Sequence, residues 1–178
     1  MTSRTRVSRA PRMLAVRRTL AIVALLAVAV WLGGLTALGA VAAPVVFSTV
    51  PWPSSADAMS IVFRRFDAVA MACAAIVLAT EAARAVGRLA FSRADHARAL
   101  VSLLAAAAAV VEGIKISPRI ASLHASGAIR GVDAAGVELA RLHDWAERCG
   151  KTELLLLSVV IVLHVLTLSV PSRAGDAE

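Results

Sequence analysis

Charge is scarce in this sequence. Lys, Arg, Asp and Glu make up 17% of 178 residues, against about 25% in ordinary soluble domains, while 59% of the chain is hydrophobic. That balance excludes a conventional soluble domain and allows one bundle without a sizeable second domain. Cysteine is equally scarce. Cys73 lies in an apolar run and Cys149 in a polar stretch, so there is no disulfide framework and two free thiols are expected. Signatures of chemistry are missing as well. There is no Gly-rich phosphate loop or dinucleotide fingerprint, no motif fixing a base beside a nucleophile, and no paired Cys or His motif of the kind that holds zinc. An enzyme, a bound cofactor and a metal centre are therefore not expected.

Acids are absent from residues 1–18, which hold Arg4, Arg6, Arg9, Arg12, Arg17 and Arg18. The formal net charge of the chain is +7, and without these six arginines almost none of it remains. The positive charge is thus a tail rather than a nucleic-acid-binding face, and no nucleic acid partner is expected. A basic tail directly before a spanning helix holds that end in the cytoplasm and can rest on anionic lipid headgroups.

Uncharged length is what the chain has in excess. Thr19 to Ala56 carries no formal charge, and a helix crosses a bilayer core with about 20 apolar residues. The arginines, the apolar run and Ala40-Val41-Ala42 imitate a secretory signal. A signal's apolar region is about 7–15 residues, however, and this one is unbroken to Ala43, so a retained span is expected at about 19–42. Pro44 and Pro51-Trp52-Pro53 close it, with Trp52 at the interface.

The next two spans look too short. Only Ala68–Thr80 and Ala99–Val111 are charge-free, each about 20 Å as a helix against a core of about 30 Å. The first must extend past Asp67, Glu81 or both, and the second must reach Glu112 and Lys115, giving spans at about 62–86 and 97–116. Arg64 with Asp67, Glu81 with Arg84, and Glu112 with Lys115 stand at i,i+3 and can pair on one face. Ser117-Pro118 reads as a break or a fresh helix start. In the polar stretch that follows, Ala135, Leu139, Leu142, Ala146 and Cys149 recur at helical spacing, which predicts an amphipathic helix with Asp133 as N-cap. A last span follows at about 154–170, stopped by Pro171, with His164 expected to bond to a neighbouring helix.

The expected fold is therefore all-α: an integral membrane four-helix bundle over 19–171, with an amphipathic helical loop between the third and fourth spans. A disordered basic tail (1–18) and a short C-terminal tail (172–178) flank it. Four spans with a basic start put both termini in the cytoplasm of a cytoplasmic (inner) membrane.

Several weak motifs add a resemblance. Trp31-Leu32-Gly33-Gly34, Ala43-Pro44-Val45-Val46-Phe47, Ile61-Val62-Phe63-Arg64-Arg65-Phe66-Asp67, Ser117-Pro118-Arg119-Ile120 and Leu142-His143 stand in that order. In this the chain resembles the transmembrane protein 205-like family, over roughly Trp31 to Val165. The resemblance implies a four-helix membrane domain and supplies no established chemistry. Relatives carry a Phe shortly before the Leu-His pair and an Asn after it. Here Val137 or Leu139 stands nearest the former, and Glu147 to Lys151 contains no Asn.

Ionisable groups near a bilayer are costly and so are functional candidates. Arg64, Arg65, Asp67, Glu112, Lys115 and Arg119 are expected at the outer end of spans two and three as an interhelical charge cluster, with Glu112 facing Arg65, or else as ordinary snorkelling pairs. His143, Asp144 and Glu147 form a second polar candidate, with Cys149 and His124 as further ligands were it a metal site. The leading functional expectation is a structural or regulatory membrane component, with the bilayer, a second copy of the chain or a membrane protein as partner. A small oligomeric transporter or ion/proton conduit using the charges of spans two and three is the alternative.

Overall fold

The apolar run after the basic segment folds as one long helical column. In the computed structural model, residues 9–87, 89 and 92–169 are described, with side chains between 12 and 167. Expectations for 1–8 and for the C-terminal tail at 172–178 lie outside them. Among the described residues every regular element is helical: α1 (Arg9–Ala37), a π-helical turn (Leu38–Ala42), α2 (Ala43–Thr49), α3 (Ser54–Val86), α4 (Arg93–Val111), a second π turn (Glu112–Ile116), α5 (Ser117–Ala125) and α6 (Ala134–Ser169).

Each helix runs further than its apolar content suggests. The basic segment is already helical from Arg9, since Ala, Arg, Met and Leu are good helix formers. Pro44 and Pro118 do not end their helices. A proline lacks an N–H and its ring clashes with the carbonyl four residues back, and both columns accommodate this by widening one turn earlier. The residue before each proline closes the wide turn: Ala43 N–H donates to the Leu38 carbonyl and Ser117 N–H to the Glu112 carbonyl. The amphipathic segment and the last span, expected as two pieces, are one helix of 36 residues. Its polar junction is satisfied in place, with Lys151 paired to Glu147 and Thr152 Oγ1 donating to the Arg148 carbonyl at 2.8 Å.

The caps follow local chemistry. Ser92 and Asp95 form a reciprocal capping box on α4, which satisfies two otherwise orphaned N–H groups. The Asp133 carboxylate accepts from Gly136 N–H at the start of α6, as its N-cap position predicts.

α1, α3, α4 and α6 pack in a closed ring, α1 on α3, α3 on α4, α4 on α6 and α6 back on α1. Their shared core is built largely from small residues: Ala27, Ala70, Ala74, Ala105, Ala106 and Ala109 around Val28, Val77, Leu157 and Val160. Small side chains let helices approach closely, which is how packing substitutes for the hydrophobic effect in lipid. The outside is apolar instead. Ile22, Leu26, Val69, Ile76, Leu103, Leu104, Val162 and Leu166 are all exposed, a patch far beyond what a soluble monomer leaves bare. Arg12–Thr49, Arg93–Ala125 and Ala134–Thr167 are long and apolar enough to cross a membrane. α3 carries more charge than these, and the ring explains it, because Asp67, Glu81 and Arg84 are turned inward and buried.

Candidate functional site: an acidic cavity between the helices

Two polar layers interrupt the core. The first joins the start of α1, the end of α3, the start of α4 and the end of α6. Arg98, with 0% of its surface exposed, donates from Nε and Nη2 to the two Glu81 oxygens at 2.7 and 3.0 Å. Its Nη1 reaches Asp95 Oδ1 at 2.9 Å and Thr167 Oγ1 at 2.8 Å. Arg84 stands 3.7 Å from Glu81, so the i,i+3 neighbour is the minor partner and the cross-helix arginine the main one. Arg17 closes the layer by donating to the Thr167 carbonyl at 3.0 Å. His164 donates from Nδ1 to the Val160 carbonyl on its own helix and lies 3.8 Å from Glu81. Two buried cations thus meet two buried carboxylates, the paired state that makes burial of charge tolerable.

The second layer has the same spacing on all four helices. Trp31, Asp67, Glu112 and Glu153 each lie fourteen residues along their helix from Arg17, Glu81, Arg98 and Thr167 respectively, or about 21 Å at 1.5 Å per residue. Trp31 and Glu153 are 1% and 2% exposed, and the indole Nε1 donates to Glu153 Oε2 at 2.9 Å. Asp67 and Glu112 complete the layer and line the same cavity as Glu153.

This layer floors a cavity of about 490 Å³. Asp67, Glu112 and Glu153 line it together with Leu35, Phe63, Phe66, Ile120 and Leu154 and with His143, Glu147 and Lys151, of which Glu147 and Lys151 are exposed. Both π turns border it, through Gly39 and Glu112; such turns are frequent where a helix is shaped for a site. Ser117, just past the second, lies beside the Asp67 carboxylate. The absence of a side chain at Gly34 makes room for Phe66, whose ring edge would sit 2.2 Å from an added Cβ.

The expected outer cluster divides in this arrangement. Asp67 and Glu112 come together in the cavity and Arg64 lines it, whereas Arg65 and Lys115 are exposed. Arg119 is exposed and makes two 2.8 Å contacts with Glu138 on α6. Of the loop candidates, His143 lines the cavity and packs edge-on against His124, with ring centroids 5.8 Å apart. Asp144 instead pairs with Arg130 at 3.0 Å, and Glu147 with Lys151. Cys73 and Cys149 are both free thiols. Among the described residues no three acidic, His or Cys side chains converge as metal ligands. Sequence reasoning missed Glu153 and the Trp31 contact, and it missed the Arg98 pairing across helices.

The fold and cavity define an all-helical protein with three helices suited to crossing a membrane. The chain belongs to the DUF4149 family, a domain of unknown function matched over residues 26–128, which takes in Trp31, Asp67, Glu112 and Ser117. No curated protein and no solved structure matches the chain.

Proposed function

We propose that this chain is an integral protein of a cytoplasmic (inner) membrane, a four-helix bundle with both termini cytoplasmic. In this reading it serves as a structural or regulatory membrane component and not as an enzyme, with its cavity as the working site. The bilayer is its solvent, and a second copy or a membrane protein its partner. The quoted motifs, which resemble the transmembrane protein 205-like family, support a membrane domain of this kind. The six arginines before the first apolar run, with no acid among them, support a cytoplasmic placement of that end.

One observation carries the regulatory reading over the conduit. Between the two polar layers the core is filled by Val28, Ala74, Val77, Ala105, Leu157 and Val160, all buried. An apolar seal of this kind blocks a polar path along the bundle axis, because an ion would lose its hydration there. The second reading, a small oligomeric ion or proton conduit, is favoured by the acids at both layers of α3. The test is potential-driven proton or potassium flux into proteoliposomes. Flux no greater than in empty vesicles is expected. Flux that disappears in Asp67→Asn or Glu81→Gln protein would overturn the regulatory reading and establish the conduit.

A further inference from the structure

The cavity holds more carboxyl groups than the protein itself pairs. Among the described residues no Lys, Arg or His forms an ion pair with Asp67, Glu112 or Glu153, whereas the nearby cations are engaged elsewhere: Arg130 with Asp144, Lys151 with Glu147, Arg119 with Glu138. Arg64 is exposed at the rim. Asp67 is 8% exposed and Glu153 2%, and Asp67 Oδ2 and Glu153 Oε1 are fully buried without a hydrogen-bond partner. A buried carboxylate oxygen left unmatched is costly, and the two residues that carry them line one cavity.

We propose that this cavity binds an organic ammonium ion with an apolar body, its cationic nitrogen held among Asp67, Glu112 and Glu153. The inference rests on the reading of the cavity as the working site and names its ligand class. The walls fit such a body. Phe63 and Phe66 line it with aromatic rings, which attract cations, while Leu35, Ile120 and Leu154 offer apolar surface. The volume of about 490 Å³ falls in the range of small-molecule sites. A bare divalent ion fits less well, since the acids do not converge as ligands and a hard cation takes six or more oxygens.

The same ammonium chemistry occurs in free amines and in choline or ethanolamine headgroups. The experiment is calorimetric titration of the full chain in phosphatidylglycerol nanodiscs with benzyltrimethylammonium and with its neutral isostere neopentylbenzene. Saturable ammonium binding is expected, at least tenfold tighter than the isostere and at least tenfold weaker in Asp67→Asn and in Glu153→Gln protein. Should either variant misfold, Glu112→Gln reports on the same charge from a half-buried position. No saturable binding by the native chain, equal binding of the isostere, or undiminished binding by the folded variants overturns the inference. Repeating the titration in phosphatidylcholine discs separates the sources: weaker probe binding identifies the headgroup as occupant, and unchanged binding a free amine. A chain that ignores ammonium yet shows no flux loses this ligand class and keeps the regulatory reading, so the two fail separately.

Discussion

Trp31 Nε1 and Glu153 Oε2 meet at 2.9 Å across 122 residues of sequence, tying the first long helix to the last inside the core. A hydrogen bond to a charged or strongly polar acceptor contributes about 1.5–3 kcal/mol, and losing one partner leaves the other exposed to the full cost of an unmatched buried group. Trp31→Phe keeps a ring but removes the donor, so Glu153 Oε2 joins Oε1 in having no partner. Glu153→Gln keeps a carbonyl able to accept from the indole. Thermal unfolding in detergent should therefore show the larger loss for Trp31→Phe, by about 1–3 kcal/mol. An equal loss in the two variants would show that the contact contributes nothing specific.

Arg98 allows a comparison of one geometry in two environments. It grips Glu81 with two nitrogens in the core, and Arg119 grips Glu138 in the same way at the surface. Removing one partner of a buried pair costs about 3–5 kcal/mol because the other charge is stranded, whereas an exposed pair is screened by solvent. Arg98→Met should lower the unfolding midpoint sharply or prevent accumulation, and Arg119→Met should leave it nearly unchanged. Arg98→Lys should fall well below the native protein too, since a single ammonium cannot reproduce a planar fork reaching Glu81, Asp95 and Thr167.

The separation of the two layers was legible in the sequence, though its meaning was not. The charge-free windows Ala68–Thr80 and Ala99–Val111 look like spans that are too short. They are the rungs between Asp67 and Glu81 and between Arg98 and Glu112, with the end residues turned into the bundle instead of out to the headgroups. The run after Glu153 stays uncharged from Leu154 to Ser172, so the equal rung from Glu153 to Thr167 carried no mark in the sequence. Facing was the missing information. A helix that is apolar all round gives no amphipathic cue, so nothing in α3 alone tells that Glu81 prefers Arg98 over its neighbour Arg84. Pro44 misled for a different reason. A Pro in a helical pattern usually marks an end, but the π turn ahead of Pro44 removes the clash that would end the helix, whereas Ser117-Pro118 does open α5 as a fresh helix start.

Membrane orientation follows from the loop between α5 and α6, where Val132 is exposed. In protein carrying Cys73→Ala and Cys149→Ala, a Val132→Cys substitution should react with a membrane-impermeant maleimide in intact cells. That result places the α5–α6 loop, and with it the His143 and Lys151 side of the cavity lining, toward the outer side. Reaction only in inverted vesicles would turn the bundle over, so that the cavity opens to the cytoplasm and the Arg98 layer lies outside.

Gly34 gives control of the cavity without touching its acids. A methyl there would sit 2.2 Å from Phe66 Cε2, too close for the two to coexist, and the ring is the part free to move. Alanine is the better helix former by about 1 kcal/mol, but forcing extra volume into a packed site costs about 1–3 kcal/mol, so Gly34→Ala should be mildly destabilising on balance. Phe66 lines the cavity, and displacing its ring should weaken ammonium binding severalfold while Asp67, Glu112 and Glu153 remain in place. Phe66→Leu in the same chain removes the crowding ring edge and should restore the unfolding midpoint. If Gly34→Ala leaves both the midpoint and the binding unchanged, the close approach of Phe66 to α1 does not shape the cavity.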